Sequence, residues 1–121
     1  MNDRFKFRYF YKPLKIMYEF QEKDYLYEFA EKENYVLMQC TGLKDKNGTL
    51  IYEGDIVTFE KSENAGKLRK GVVKYYKPYC WFFIEVSENK WARPFNAIPN
   101  RQYLEVIGNI YENKELLDEQ I

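Results

Sequence analysis

The sequence predicts a mainly β protein, a β-rich α+β fold in which a small SH3-like barrel carries an added N-terminal β-rich portion and a short C-terminal helix. Two observations predict this fold class. Short runs rich in Tyr, Phe, Val and Ile recur along the chain, and these residue types favour strands. Gly, Pro, Asn and Asp stand between the runs at close spacing, which is typical of small barrels and sandwiches.

The first third of the chain predicts two strands and one ambiguous segment. Residues 4–11 alternate aromatic with basic side chains, and residues 16–20 form a return strand after Pro13. Apolar residues at positions 25, 26, 29 and 30 follow a helical period, so a short helix is predicted there. A strand over residues 25–29 is the alternative.

The rest of the chain predicts short strands joined by turns. Turns are expected at residues 45–48 and 53–55, because Asn and Gly tolerate the positive φ of tight turns. A helix from Lys114 to about residue 119 follows Asn113, which can cap it. The strands are predicted over residues 35–40, 50–52, 55–60, 68–76, 79–87, 91–95 and 104–111.

The chain length and the order of these strands predict one domain over residues 1–121. A Gly-Asp pair before two apolar residues, a Gly-Val-Val strand, an aromatic strand and a short closing strand follow one another. This is the succession of strands in SH3-like barrels. The barrel is expected over about residues 38–112, with an N-terminal subdomain over about residues 1–37.

Charge and cysteine content limit the partners and the compartment. The formal net charge is zero, from 19 basic and 19 acidic residues, which argues against bulk electrostatic binding to DNA or to an anionic membrane. The N-terminal sequence resembles no signal peptide, and no apolar run is long enough to cross a membrane. We therefore expect a cytoplasmic protein, with Cys40 and Cys80 as free, buried thiols.

The sequence shows no arrangement of residues that is typical of a catalytic site. The chain has no histidine, which removes the commonest general base and the most frequent metal ligand. Its six glycines are scattered singly, so no phosphate-binding loop is present. Glu53 and Asp55 flank a glycine, and for carboxylates at this spacing a turn-capping role is favoured over catalysis. We expect no enzyme activity, no cofactor and no metal.

The surplus of aromatic residues favours a binding surface. Twelve Tyr, nine Phe and two Trp exceed what a core of this size needs, although Tyr is also an ordinary strand former. Along a strand, Trp81 and Phe83 share one face and Phe82 takes the other. The candidate protein-binding residues are Tyr79, Trp81, Phe83 and Trp91.

A basic run beside this aromatic strand gives a second candidate surface. Basic and aromatic residues interleave there, as they do in proteins that bind single-stranded nucleic acid, although the same composition is common on solvated sheet faces. The candidate nucleic-acid-binding residues are Lys67, Arg69, Lys70, Lys74, Tyr75, Tyr76 and Lys77.

Three segments of the chain carry a family resemblance. The first is Lys6-Phe7-Arg8 with Phe10 and Lys15-x-Met17. The second covers residues 38–48 and 51–57, and the third covers residues 104–113 and 115–117. Together they resemble the YopX-like family of phage and prophage proteins. The sequence departs from the family pattern at Phe10, Cys40 and Lys114, where Trp, Tyr and Pro are common. Residues 61–101 are the least family-like part of the chain.

The resemblance implies a β-rich fold related to SH3-type barrels, expressed in an infected or lysogenic bacterium, with no established reaction. The signature residues themselves look structural, as turn glycines and core side chains. Our first hypothesis is a non-enzymatic phage accessory protein that binds a host or phage protein, or itself as a homo-oligomer. The second is a single-strand nucleic-acid binding module of SH3-like barrel type.

Overall fold

The computed structural model describes residues 6–20, 33–61, 66–87, 90–95, 98 and 101–118, with only the backbone described at residues 87, 90–92 and 118. Within these residues the chain forms nine strands, two single-turn 3-10 helices and one short α-helix. The 3-10 helices are Lys77–Tyr79 and Arg101–Tyr103, and the α-helix is α1 (Glu115–Asp118). The strands are β1 (Phe7–Tyr11), β2 (Ile16–Glu19), β3 (Tyr35–Lys44), β4 (Leu50–Tyr52), β5 (Asp55–Lys61), β6 (Leu68–Tyr76), β7 (Trp81–Ser87), β8 (Lys90–Pro94) and β9 (Glu105–Asn109).

The strands form two antiparallel sheets. The N-terminal sheet has the order β2-β1-β3-β4, and the larger sheet has the order β8-β7-β6-β5-β9. In the larger sheet β5 to β8 form a meander, and β9 returns to pair with β5. Strand β3 pairs with β1 through its first half and with β4 through its second half. It therefore runs without interruption through residues 37 and 38.

The larger sheet buries side chains on both faces around β5. Val57 lies opposite Gly71 and faces the main core, whereas Ile56 lies opposite Val72 and faces the other way. Elsewhere, the Phe10 ring of the N-terminal sheet stacks on Tyr111, with 5.2 Å between the ring centroids. The main core consists of Ile51, Val57, Phe59, Val73, Ile84, Phe95 and Leu104.

The prediction of a mainly β protein with an N-terminal β-rich portion and a short C-terminal helix is confirmed. The SH3-like character of the larger sheet and the division of the chain near residue 37 stay predictions. The ambiguous helix or strand over residues 25–30 lies outside the described residues. Among the described residues, no helix has the length and apolar character needed to cross a membrane.

Within the described residues, three predicted strand boundaries differ from the structure by two or more residues. Strand β3 continues past Cys40 to Lys44, because Gly42 takes a φ of 84° at an irregularity in the pairing with β4. Strand β7 begins at Trp81 rather than at residue 79, because Pro78 lies within a 3-10 turn. Strand β9 ends at Asn109, whose side-chain oxygen accepts hydrogen bonds from the next turn.

One cysteine prediction is wrong. Both thiols are free, and Cys40 is buried as expected, but Cys80 is exposed. The reason is local, because Cys80 is the residue that ends the 3-10 turn and lies outside β7. Its φ of 53° and ψ of 41° are left-handed, a conformation that turns the chain sharply at the surface.

Candidate functional site

The connection between β6 and β7 is a tight, well-bonded turn. Pro78 fixes the φ angle near the start of the 3-10 helix Lys77–Tyr79, and the N–H of Cys80 donates to the carbonyl of Lys77 at 3.1 Å. The turn brings Tyr76 opposite Trp81 in the pairing of the two strands. The aromatic residues on either side of the turn therefore meet on one face of the sheet.

Three of these rings form a continuous row, which we call the aromatic row: Tyr76, Tyr79 and Trp81. The centroids of Tyr76 and Tyr79 are 5.2 Å apart, and those of Tyr79 and Trp81 are 5.3 Å apart. Tyr79 is 61% exposed and Trp81 is 37% exposed. Rings in this arrangement offer apolar area with little side-chain entropy to lose on binding.

Phe83 anchors the row from inside the protein. It is only 4% exposed, and its ring meets Tyr76 edge to face with 5.9 Å between the centroids. The prediction of Phe83 as a surface contact is therefore corrected, because its position beyond Trp81 on the same face reaches the buried part of the sheet. The side chain of Trp91 lies outside the described residues.

Phe82 takes the opposite face of the hairpin from Trp81 and Phe83, as the strand alternation predicted. Phe82 packs against the main core, and Tyr75 lies opposite it with its ring edge to face at 5.1 Å. Phe82 thus covers this chain's own core. The exposed aromatic row belongs to the other face.

The predicted basic surface is divided between the two faces of β6. Arg69 lies on the Gly71 and Val73 side, where it pairs with Glu60 at 3.2 Å. On the other side, the ammonium group of Lys70 donates to the carbonyl of Leu116. Lys74 pairs with Glu85 at 3.4 Å. Alternation along the strand also separates Tyr75 from Tyr76, so the run does not form one stripe.

Lys67 and Lys77 lie at the two ends of this basic run, and both are exposed. Neither forms an ion pair within the described part of the chain. Lys77 begins the 3-10 helix that carries Tyr79, so it belongs to the same turn as the aromatic row. Lys67 precedes β6 at the other end of the strand.

Asp55, in the Glu53-Gly54-Asp55 turn, bridges the two sheets. One carboxylate oxygen of this buried residue accepts from Arg8 of β1 at 2.6 Å, and the other accepts the N–H of Tyr52 at 2.8 Å. Burial raises the pKa of Asp55, while Arg8 and the Tyr52 N–H act in the opposite direction. The predicted turn-capping role of this carboxylate is confirmed.

Arg8 completes this cluster and was not identified from the sequence. Its guanidinium lies 4.7 Å from the centroid of the Tyr52 ring, a cation–π arrangement. Burial raises the pKa of the Tyr52 hydroxyl to about 12. The pairing could not be read from the sequence, because Arg8 and Asp55 are 47 residues apart and Arg8 stands among other basic residues.

Asp45 fixes the other signature turn to β9. One of its carboxylate oxygens accepts the N–H groups of Asn47 and Thr49, both at 2.9 Å. The other accepts the N–H of Val106 at 2.9 Å. All of these partners are backbone groups, so this buried carboxylate organises the fold. Within the described residues, no group of three or more Cys, Asp or Glu side chains could hold a metal ion.

Comparison with known proteins identifies relatives of the whole chain. Residues 2–118 match the YopX protein family. Among solved structures, the chain is similar to the crystal structure of protein EF1440 from Enterococcus faecalis, with 28% sequence identity and a TM-score of 0.62. That similarity covers 93% of this chain and 96% of the other. No curated protein matches the chain.

Proposed function

The chain belongs to the YopX protein family, and from this premise we propose that it is a non-enzymatic accessory protein that binds a host or phage protein through the aromatic row. It acts in the cytoplasm of the bacterium that carries the phage or prophage. The partner is another protein or a second copy of this chain.

One observation carries the proposal. Tyr79 and Trp81 are 61% and 37% exposed at the β6–β7 connection, which a backbone hydrogen bond closes, and the rings of Tyr76 and Phe83 pack behind them. Aromatic side chains held in this way are enriched at the energetic centres of protein interfaces. The signature carboxylates Asp45 and Asp55, by contrast, are committed to backbone N–H groups and to Arg8.

Affinity purification from a bacterial host tests the proposal. Tagged wild-type protein is compared with Trp81→Ala, which shortens an exposed side chain, and with Tyr75→Ala, which shortens a ring of similar exposure on the opposite face. We expect a partner that is retained by wild type and by Tyr75→Ala and lost with Trp81→Ala. Light scattering after gel filtration detects self-association in the same samples. A partner held equally by all three proteins, or no partner and no self-association, contradicts the proposal.

Binding of single-stranded nucleic acid is the alternative, and the charge arrangement favours it less. Arg69 and Lys74 lie on different faces and are both paired with carboxylates, whereas a backbone-tracking groove needs cations on one surface. The alternative predicts salt-dependent binding that weakens in Lys67→Glu and Lys77→Glu. An anisotropy titration of a labelled single strand at low salt separates the two functions, and a flat titration removes this alternative.

A further inference from the structure

We propose that the aromatic row binds an extended, proline-containing peptide segment with an acidic residue beside the prolines. This inference rests on the proposed function, because it specifies which segment of the partner protein the same surface takes. It is carried by the geometry of the rings, by their polar tips, and by the exposed Lys77 in the same turn.

Strand addition is one common mode of peptide binding, and it uses the backbone groups at a strand edge. The feature exposed at this site is a set of ring faces, where β6 and β7 pair with each other at Tyr76 and Trp81. Strand addition would leave these ring faces unused. An α-helix is a poor fit as well, because it needs a long apolar groove for several turns of side chains. The row offers only Tyr79 and Trp81 as strongly exposed rings.

The rings themselves suit a polyproline-type segment. Neighbouring rings in the row are inclined to each other by 50° and 59°, so adjacent rings present faces at different angles to a ligand. Pyrrolidine rings pack against such faces, and a polyproline helix loses little entropy on binding because it is already extended.

The polar tips of the rings supply donors of the right kind. Within the described part of the chain, neither the Tyr79 hydroxyl nor the Trp81 indole N–H has a hydrogen-bond partner. A proline-rich backbone has carbonyl acceptors that no internal hydrogen bond uses, and few N–H groups. Two donors beside an apolar ring surface match that chemistry.

The charges near the row indicate where the acidic residue would bind. Lys77 is exposed, begins the turn that carries Tyr79, and has no ion pair within the residues that the structure describes. The cations on the Tyr76 side of β6 already have partners, since Lys70 donates to the carbonyl of Leu116 and Lys74 pairs with Glu85. We therefore assign the carboxylate at the end of the proline segment to Lys77, and this contact would set the direction of the peptide.

The test uses three fluorescein-labelled peptides and fluorescence anisotropy with the full chain. The first is a proline run ending in aspartates, the second has alanine in place of every proline, and the third has asparagine in place of the aspartates. We expect the alanine peptide to bind at least about tenfold more weakly than the first. Tyr79→Phe and Trp81→Phe keep a ring but lose a donor, and each is expected to weaken binding by about three- to tenfold. Tyr75→Phe, which loses a hydroxyl on the opposite face, is the matched control.

Lys77→Glu tests the direction of binding. It is expected to weaken the aspartate peptide and to leave the asparagine peptide unchanged. Equal binding of the proline and alanine peptides overturns the proposal, and so does a Tyr75→Phe variant that loses as much affinity as Tyr79→Phe. If neither peptide binds while affinity purification still recovers a Trp81-dependent partner, the proline-segment proposal fails and the protein-binding function stands. If purification also recovers nothing, both fail.

Discussion

At the scale of single residues, two buried carboxylates account for much of the signature. Asp55 is 1% exposed and Asp45 is 7% exposed, and each accepts hydrogen bonds with both of its oxygens. Such groups stabilise a fold only while every partner is present, since an unpaired buried charge is costly. The Asp45 carboxylate fixes its turn to β9, and the Asp55 carboxylate fixes its turn to Arg8 of the other sheet.

Asp55→Asn is expected to lower the free energy of unfolding by about 3 kcal/mol, because it leaves the buried guanidinium of Arg8 without its counter-charge. Denaturant unfolding followed by circular dichroism measures the loss. Glu60→Gln removes a carboxylate that pairs with the more exposed Arg69 and Arg93, and it is expected to cost less than about 1 kcal/mol. Equal losses in the two variants contradict the bridging role of Asp55.

Tyr52 gives a pH-dependent prediction. Its pKa is raised from 10.0 to about 12 in the folded protein, so the unfolded chain loses this proton first as pH rises. The stabilisation from Tyr52 is complete below pH 10.0 and is lost as pH rises through about 12. We expect Tyr52→Phe to flatten the fall in stability over this interval, measured by denaturant unfolding at several pH values. Tyr79→Phe, at an exposed hydroxyl, is the control and should follow wild type.

At the scale of elements, the β6–β7 hairpin combines a strained turn with a closely packed strand pair. Cys80 holds a positive φ without being glycine. Gly71, inside β6, has a different reason to be glycine: a Cβ there would stand 2.3 Å from a methyl carbon of Ile84 and 2.9 Å from the carbonyl oxygen of Glu85. Glycine at position 80 would therefore meet no steric penalty, whereas position 71 leaves no room for any other residue.

Cys80→Gly is expected to stabilise the protein by about 1 kcal/mol, because glycine adopts the left-handed conformation without a steric penalty. Thermal and denaturant unfolding measure the gain. Cys80→Ala keeps a Cβ at the same φ and is the matched control, with no gain expected. A gain of similar size in Cys80→Ala contradicts the assignment of strain to this turn.

Gly71→Ala is expected to destabilise the protein by more than about 2 kcal/mol, because its Cβ clashes with backbone as well as side chain on β7. Gly48→Ala is the comparison, since Gly48 has open space around it and only its φ of +84° opposes a side chain. We expect about 1 kcal/mol for Gly48→Ala. Denaturant unfolding that ranks the two variants in the reverse order contradicts the close approach of β6 and β7.

At the scale of the whole molecule, local patterns predicted the elements well and the contacts between them poorly. Apolar alternation and Gly or Asn turns identified β4, β5 and β6 nearly to the residue, because these signals act over a few neighbouring positions. The left-handed conformation of Cys80 was not predicted. Pro78 indicates that the strand is interrupted, but it does not indicate how many residues the turn contains.

The candidate site was only partly predictable for a related reason. Trp81 and Tyr79 were identified by residue type, but Tyr76 was grouped with the basic run rather than with them. Its place in the aromatic row depends on the register of β6 against β7, which the turn length sets. The burial of Phe83 and the pairing of Lys74 with Glu85 also depend on that register.

Photo-crosslinking in the bacterial host tests most directly whether binding lies on the hairpin and the signature is scaffold. Benzoylphenylalanine is placed at position 79 in the aromatic row, at position 47 in the signature turn, and at position 14, where Leu14 is 64% exposed on the β1–β2 hairpin. We expect a crosslinked protein adduct from position 79 and none from positions 47 and 14. Adducts from position 47, with none from position 79, would contradict the placement of function on the β6–β7 hairpin.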